Sequence, residues 1–408
     1  MDSYQSFVDI IKHCIVYLTR MKRAIGLFII IISINSLVLA YIPTFYGARS
    51  LSLGYSSMAF NYDINAIFIN PALLTYVTRS LSGYQFQYSY SDYKDFKNQL
   101  DEALEFDLSN FNSLSGSDKE ILFSRLNDLF TSKHGFNGFR ASIPGLVSKD
   151  YGFSVSFVNT AIINPIQNDI FNKEVGEVTN ADIASLKFNL IGLSYTQFSL
   201  SYGLNISTGI SFGISLHYLY GKITEFSSSI VEPIFNTDSS IQDYLEYAWD
   251  DAEDTFYKLN VDISLTADIG KYFKLGIIAK NVGNPTLVTT ERDIVMERRI
   301  IAGIAFRPTI QWGVYLDMDI NKTDLYYNGE DVQLISIGVE KGFFQNKLLL
   351  RAGFLSDLTE KYFLGGKSNS LYGVGFGFNM SKILVDFAIG IDSGGAINNI
   401  AISGFFMF

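Results

Sequence analysis

From Tyr257 to Ile269 the chain alternates without a slip. Tyr257, Leu259, Val261, Ile263, Leu265, Ala267 and Ile269 hold one set of positions, and Lys258, Asn260, Asp262, Ser264, Thr266 and Asp268 hold the other. Successive side chains of a strand point to opposite faces, so this spacing predicts a strand with one apolar and one polar face. The pattern recurs with Ile210, Phe212, Ile214, Leu216 and Tyr218 against Ser211, Gly213, Ser215 and His217. It recurs again with Trp312, Val314, Leu316, Met318 and Ile320 against Tyr315, Asp317, Asp319 and Asn321. Followed along the chain it predicts fourteen strands, near 82–91, 136–144, 150–159, 185–199, 207–222, 256–269, 272–281, 298–307, 311–321, 332–340, 347–354, 369–379, 382–391 and 398–408.

A soluble sandwich also uses period 2, so the connections decide. Those after even-numbered strands are short: Pro144 to Asp150, Gly270-Lys271, Pro308-Thr309, Lys341 to Asn346 and Met380-Ser381. Those after odd-numbered strands include long insertions near 92–135, 160–184 and 223–255. A membrane barrel with periplasmic turns and extracellular loops requires this alternation; a sandwich does not. The expected fold is therefore an all-β, transmembrane antiparallel β-barrel of fourteen strands, apolar faces to lipid and polar faces to the lumen. Tyr84, Tyr220, Tyr257, Phe378 and Phe408 near strand ends suit interfacial girdles. In the fourth strand the apolar phase runs through Leu186, Phe188 and Leu190, then moves to Ile191, Leu193 and Tyr195, which predicts a β-bulge there.

Composition agrees. Aromatics are 15% and charged residues 18% of the 408 residues, with 7 prolines; ordinary soluble domains carry roughly 25% charge. After the leader no apolar run is long enough for a helical span. Met21-Lys22-Arg23, the apolar Ala24 to Ile34 and Val38-Leu39-Ala40 have the three parts of a secretory signal peptide, giving a leader over 1–40 with the signal at 21–40 and an upstream extension at 1–20. The one cysteine, Cys14, lies in that leader, which suits an oxidising periplasm. A net charge of −10 argues against nucleic acid as a partner.

Residues 41–79 show little strand alternation and are rich in small side chains that suit packing within a lumen. Here Gly47-Ala48-Arg49-Ser50-Leu51-Ser52-Leu53-Gly54 is followed by Asp63, Ala66 and Asn70-Pro71-Ala72. With the barrel over 80–408, this stretch resembles the N-terminal motif of the long-chain fatty-acid transporter (FadL-like) outer-membrane family and its secretion-associated PorV-type relatives. Ala72-Leu73-Leu74 departs from it where a glycine usually follows Asn-Pro-Ala. Ile400, Ile402, Phe406 and Phe408 resemble the C-terminal strand by which outer-membrane barrels are recognised for assembly. The resemblance implies an N-terminal hatch formed by Gly47, Ala48, Arg49, Gly54, Asn70, Pro71 and Ala72, residence in the bacterial outer membrane, and passive uptake of hydrophobic small molecules, long-chain fatty acids first. It also admits a PorV-like alternative, a barrel whose loops hold a secreted or surface protein as partner.

Two loops read as partly helical. Ser117-Asp118-Lys119-Glu120 forms a capping box before Ile121, Leu122, Leu126, Leu129 and Phe130, and Ile241, Leu245, Ala248, Trp249 and Ala252 keep helical spacing in an acidic loop. Apolar faces outside the membrane must bury against one another as a lid or against ligand in an entry groove. The resemblance implies ligand capture in a hydrophobic groove between extracellular loops, which makes Leu126, Phe130, Leu245 and Trp249 the groove candidates. The lumen is expected to receive Arg140, Lys187, Lys258, Asp262, Asp317, Asp319, Arg351 and Asp386, with Arg49 as mate for an aspartate. Arg140 and Arg351 could hold a ligand carboxylate, because a guanidinium binds one bidentately. Gly373, Gly375 and Gly377 on one face predict close approach of hatch to wall. His217 with Ser211 and Ser215 could imitate a Ser-His pair but lacks a nucleophile motif. With no phosphate loop or metal-ligand spacing, neither an enzyme nor a cofactor or metal site is expected.

Overall fold

A computed structural model describes residues 47–60, 63–91, 100–131, 136–166, 169–231, 255–288, 293–324, 331–359, 370–393, 395 and 397–408. The expected leader, Leu245, Trp249 and most of the acidic loop lie outside these residues. The described strands are β1 (Leu81–Ser91), β2 (Phe136–Ser148), β3 (Tyr151–Pro165), β4 (Lys187–Ser207), β5 (Ile210–Ser229), β6 (Thr255–Ile269), β7 (Phe273–Lys280), β8 (Thr286–Val288), β9 (Asp293–Val295), β10 (Arg299–Thr309), β11 (Trp312–Asp319), β12 (Leu334–Phe343), β13 (Leu348–Asp357), β14 (Ser370–Met380), β15 (Ile383–Asp392) and β16 (Ile397–Met407). β8 and β9 form a separate hairpin. The other fourteen close into an antiparallel barrel in which β1 pairs with both β2 and β16.

The predicted faces are the observed ones. On β6, Leu259, Ile263 and Leu265 are exposed on the outer face while Asn260, Asp262, Ser264 and Thr266 are buried inside. Aromatic pairs mark both rims of the outer belt, Tyr220 with Tyr257 at 5.3 Å and Tyr151 with Tyr202 at 5.1 Å between ring centroids. One barrel end is closed by tight turns, where Gly209 (φ 79°) and Gly270 (φ 64°) take the left-handed backbone that side chains disfavour. Long loops leave from the other end.

Two expectations for the strands change. The fourth strand carries no bulge at Leu190 and Ile191. Its pairing with β3 is continuous from Tyr151↔Tyr202 to Pro165↔Phe188, and its pairing with β5 is regular from Lys187↔Ser229 to Asn205↔Ser211. Both faces are simply apolar at the loop end of β4. An irregularity does occur in β2, read as ending at Pro144 but running on to Ser148. Its register with β3 shifts between Ser142 and Gly145, around a proline that has no N–H to give the ladder.

The 21 residues of β4 span roughly 70 Å at about 3.3 Å each, far more than an apolar belt about 25 Å tall needs. The excess at the loop end is covered by helices. Helices α1 (Gly47–Ser52) and α2 (Ala66–Ile69) lie inside the barrel, while α3 (Gly116–Thr131) and α4 (Asn180–Ala184) belong to the loops. The cap of α3 is Ser115, not Ser117: the Asp118 N–H donates to Ser115 Oγ at 3.2 Å, and that hydroxyl donates to Asp118 Oδ2 at 2.7 Å. In α4, Thr179 and Asp182 form a reciprocal capping box. The hydrogen bond from Lys173 (2.6 Å), with the Thr179 N–H and hydroxyl, holds the Asp182 carboxyl down to about 2.

Candidate functional site: a plugged lumen with an apolar upper interior

The segment from Gly47 to Tyr76 fills the lumen near the turn end. Asn70 organises it: its Oδ1 accepts from the Ala72 N–H at 3.1 Å, and its Nδ2 donates to the Met58 carbonyl at 2.8 Å and Thr266 Oγ1 at 3.0 Å. Pro71 begins a 3-10 turn (Pro71–Tyr76), where its missing N–H costs nothing. The Ala72 N–H also reaches Ser264 Oγ on β6 at 3.0 Å. The wall yields to the plug through glycines. A side chain at Gly213 would strike the Pro71–Ala72 backbone, one at Gly353 the Leu53–Gly54 backbone, and one at Gly373 the Leu51 carbonyl. Gly375 likewise faces Ser52, as its spacing predicts; Gly377 instead leaves room for Arg351 and Asp386.

Ions fasten the plug. Arg49 pairs with Glu340, its Nε 3.3 Å from Glu340 Oε2, and also feels the charge of Asp63. The same oxygen accepts from Arg351 Nε at 2.7 Å, and Arg351 Nη1 continues to Asp386 Oδ1 at 2.6 Å. Tyr315 donates its hydroxyl to Glu340 Oε1 at 3.2 Å, and Arg49 Nη1 donates to the Phe60 carbonyl at 3.2 Å. All four charged groups are buried, two positive and two negative, so the chain of pairs is neutral. β11 adds Asp317, whose Oδ2 accepts from the Ser57 and Met58 N–H groups at 2.7 and 2.8 Å. Arg351 is thus held by two carboxylates of the barrel. Arg140, half-buried beside the register shift of β2, sets its guanidinium 4.8 Å from the Phe68 ring centroid, next to a cavity of 10 Å³. Arg299 Nη2 meets Asp319 Oδ1 at 2.8 Å, and Lys187 is exposed at the loop end.

Plug docking should depend on pH through Asp63. Burial pushes its carboxyl up to about 6, against Arg49 and the Asn65 N–H, which favour the charged form. The unfolded value is about 3.9. The stability tied to protonated Asp63 is therefore fully present below about pH 4 and lost as pH rises through about 6, a change of roughly 3 kcal/mol. Thiol labelling of a Ser57→Cys variant, normalised at each pH to the rate of free cysteine because only the thiolate reacts, should be slower at pH 5 than at pH 8. Adding Asp63→Asn should flatten that difference; an unchanged pH dependence would show that another group controls docking.

His217 does meet a serine and an aspartate, but its serine is Ser199. Its Nε2 lies 3.2 Å from Asp262 Oδ2, and its Nδ1 lies 2.8 Å from Ser199 Oγ and 2.9 Å from Gln197 Nε2. All are buried, and Phe68 of the plug stacks on the imidazole at 6.4 Å. Ser215 Oγ donates to the Ile67 carbonyl at 2.8 Å and Lys280 Nζ to the Phe68 carbonyl at 2.6 Å, so this polar girdle binds plug to wall.

Towards the loop end the inner face becomes apolar. Ile191, Leu193 and Tyr195 of β4 continue the inward set of Gln197, Ser199 and Ser201, and Leu219 and Ile223 of β5 continue that of Ser215 and His217. Phe256, Leu334 and Leu355 join them from other strands in one buried cluster. Leu287, Ile294 and Met296, from the β8–β9 hairpin and its flank, pack into the same cluster. Between it and the plug a cavity of 40 Å³ is bordered by Tyr55, Met58, Asp317 and Leu334.

Leu126 and Phe130 lie elsewhere. They are 0% and 5% exposed in a second core with Phe111, Ile183, Leu186 and Phe188. Phe130 stacks on Phe188 at 4.6 Å, and Phe188 shares its parity with the outward-facing Phe198 and Leu200. Among the described residues, the loop helices α3 and α4 therefore form a satellite core against the outer face of β4, in which Leu126 and Phe130 are buried.

A fourteen-stranded antiparallel barrel, plugged from its N-terminus and apolar in its upper lumen, defines the chain as a barrel of the FadL fold. Solved structures of similar fold are the CymD monoaromatic hydrocarbon channel (13% identity, TM-score 0.53, covering 90% of this chain and 99% of that one), the toluene transporter TbuX of Ralstonia pickettii (12%, 0.51, 90% and 99%) and a FadL homologue of Pseudomonas aeruginosa (10%, 0.51, 90% and 99%). The chain belongs to the family described as F plasmid transfer operon, TraF, protein, whose sequence model matches residues 67–319, more than half of its length. No curated protein matches the sequence.

Proposed function

We propose that the chain is a bacterial outer-membrane channel for passive uptake of hydrophobic small molecules, directed to the periplasm by the leader at 21–40. The turn end then faces the periplasm and the loop end the cell surface. The observation that carries this reading is the apolar inner face at the loop end. A barrel that passes water-soluble solutes lines its lumen with polar groups, whereas Leu193, Leu219, Ile223 and Phe256 turn inward here. Ligand would displace the β8–β9 hairpin, enter that interior, and leave by plug movement or sideways at the β2 register shift. Long-chain fatty acids, implied by the family resemblance, are the first candidates. The monoaromatic hydrocarbons and toluene named for proteins of similar fold share the same apolar character.

The test is oleate uptake by a bacterial host lacking its own outer-membrane fatty-acid transporter. The wild-type chain should restore uptake. Leu193→Asp, which places a charge on the apolar inner face, should lower it at least tenfold at equal amounts of folded barrel. Equal uptake by the two would remove the interior from the path. The satellite core, with Ile121 exposed at 48% on α3, favours the second reading, a barrel whose loops hold a protein partner. That reading predicts no uptake and a polypeptide cross-linked to α3.

A further inference from the structure

On β12 the outward positions are Ile335, Ile337, Val339, Lys341 and Phe343, so one lysine stands in an otherwise apolar, lipid-facing set. A lysine on that face is strongly disfavoured at mid-bilayer and tolerated near the headgroups. Lys341 therefore marks the headgroup level at the turn end. Its cross-strand partner on β11 is Trp312, a residue that concentrates at the same level. Lys341 Nζ lies 4.3 Å from the Trp312 ring centroid and 5.8 Å from that of Phe343. Two turns are joined there. The Gly342 N–H donates to the Gln311 carbonyl at 2.8 Å, and Asn346 Nδ2 donates to the Ile310 carbonyl at 3.2 Å. Phe344, Gln345 and Asn346 run through the left-handed region (φ 51°, 59° and 66°), which side chains disfavour. The turn so formed leaves Phe344 75% exposed, and Ile310 on the joined turn is 76% exposed. Charge here runs against the rest of the chain. The whole sequence carries −10, yet the four neighbouring turns over 268–274, 307–312, 341–347 and 379–382 hold six cations and one carboxylate. That carboxylate, Asp268, is taken by Lys274 at 3.0 Å, whereas Lys271, Lys347 and Lys382 are exposed.

We propose that this rim binds an anionic phospholipid of the leaflet at the turn end, with the phosphate at Lys341 and Lys347 and the acyl chains along Val339, Trp312 and Phe343. A lysine stem lies along apolar surface and carries its ammonium into the headgroup layer, as Lys341 does over Trp312. A zwitterionic headgroup brings its own cation, which the basic rim repels. A lipid whose phosphodiester is its only charge meets no such repulsion, so the site selects it. A soluble phosphate would find the same lysines but none of the apolar surface of Trp312, Phe343 and Phe344, and binding of this kind draws on both. The inference rests on the outer-membrane placement proposed above and not on uptake. It names what the turn end holds, not what the channel carries.

The experiment uses tryptophan quenching, because the chain has two tryptophans and Trp249→Phe leaves Trp312 as the sole reporter. The full chain with that change is reconstituted in phosphatidylcholine bilayers containing a fixed fraction of lipid brominated near the carbonyl end of its chains. The brominated lipid is phosphatidylglycerol in one set and phosphatidylcholine in the other. The quenching ratio should show phosphatidylglycerol enriched about fivefold beside Trp312, the effect of one lysine near anionic lipid. Lys341→Gln should bring the ratio most of the way to unity, Lys341→Arg should keep it, and Lys347→Gln should lower it in part. Lys222→Gln, towards the loop end of β5, should leave it unchanged, with heat-modifiable migration retained in every variant. Glycerol phosphate in the buffer should not alter it. Equal quenching by the two lipids, or indifference to Lys341→Gln, would overturn the proposal. So would loss of the enrichment to glycerol phosphate, which would assign the lysines to a soluble anion. No quenching by either lipid would place Trp312 outside the bilayer and remove the membrane placement itself. Enrichment with these signatures in a chain that fails the oleate test would remove the transport reading and leave the lipid site standing.

Discussion

Replacing Glu340 with glutamine should release the plug. Glu340 is shared by Arg49 of the plug and Arg351 of the wall at 3.3 and 2.7 Å, and all three side chains are buried. Without its charge, two guanidinium groups face each other across a neutral amide, with Asp386 and Asp63 left to offset them. Removing one partner of a buried ion pair typically costs about 3–5 kcal/mol, because the remaining charge is left desolvated. The backbone ladder of β12 and β13 does not use this carboxylate, so the strands stay paired while the cross-strand contact to Arg351 and the seating of Gly47 to Tyr76 weaken. In planar bilayers Glu340→Gln should show larger and more frequent open-channel conductance than wild type, with heat-modifiable migration of the barrel retained. A double-mutant cycle with Arg49→Gln should show strong coupling. Additive effects of the two changes would mean that the pair does not fasten the plug.

Phe130→Ala should cost about 3–5 kcal/mol, the usual loss for emptying an aromatic site in a core. Its position fixes where that loss is felt. Phe130 stacks on Phe188 and Phe171 outside the barrel, on the opposite face of β4 from Leu193. Limited proteolysis should therefore cut α3 rapidly in Phe130→Ala and slowly in wild type, while oleate uptake stays within about twofold, since exposed loops open without the barrel. Loss of uptake in step with proteolysis would put the satellite core on the ligand path.

The barrel was legible in the sequence because its physics is local. Strand faces alternate every residue, and turn and loop lengths alternate every strand, so Tyr257 to Ile269 reports its own geometry. Glycine spacing was legible too where it serves backbone approach, as at Gly373 and Gly375 against the plug. Pairings across long sequence separations were not. Arg49 and Glu340 are 291 positions apart, and nothing in one chain distinguishes Glu340 from the other inward acids as the mate of Arg49. The inward parity of Glu340 with Ser336 was the available signal. In the fourth strand, apolar residues on both faces imitate a phase slip. Only the satellite core outside and the β8–β9 hairpin inside show why both faces are apolar. Pro144 misled in the opposite direction, since a strand can continue through a proline at a register shift. Leu126 and Phe130 had the right periodicity for burial, but periodicity does not say against which face.

The most direct measurement is mass spectrometry of small molecules extracted from the folded, detergent-purified chain, beside Leu193→Asp and an unrelated barrel prepared identically. If the apolar upper interior is a ligand site, a discrete hydrophobic molecule should be enriched in the wild type and lost in Leu193→Asp. Equal extracts from all three would contradict a ligand-binding interior and leave Leu193, Leu219 and Phe256 as packing for a closed barrel.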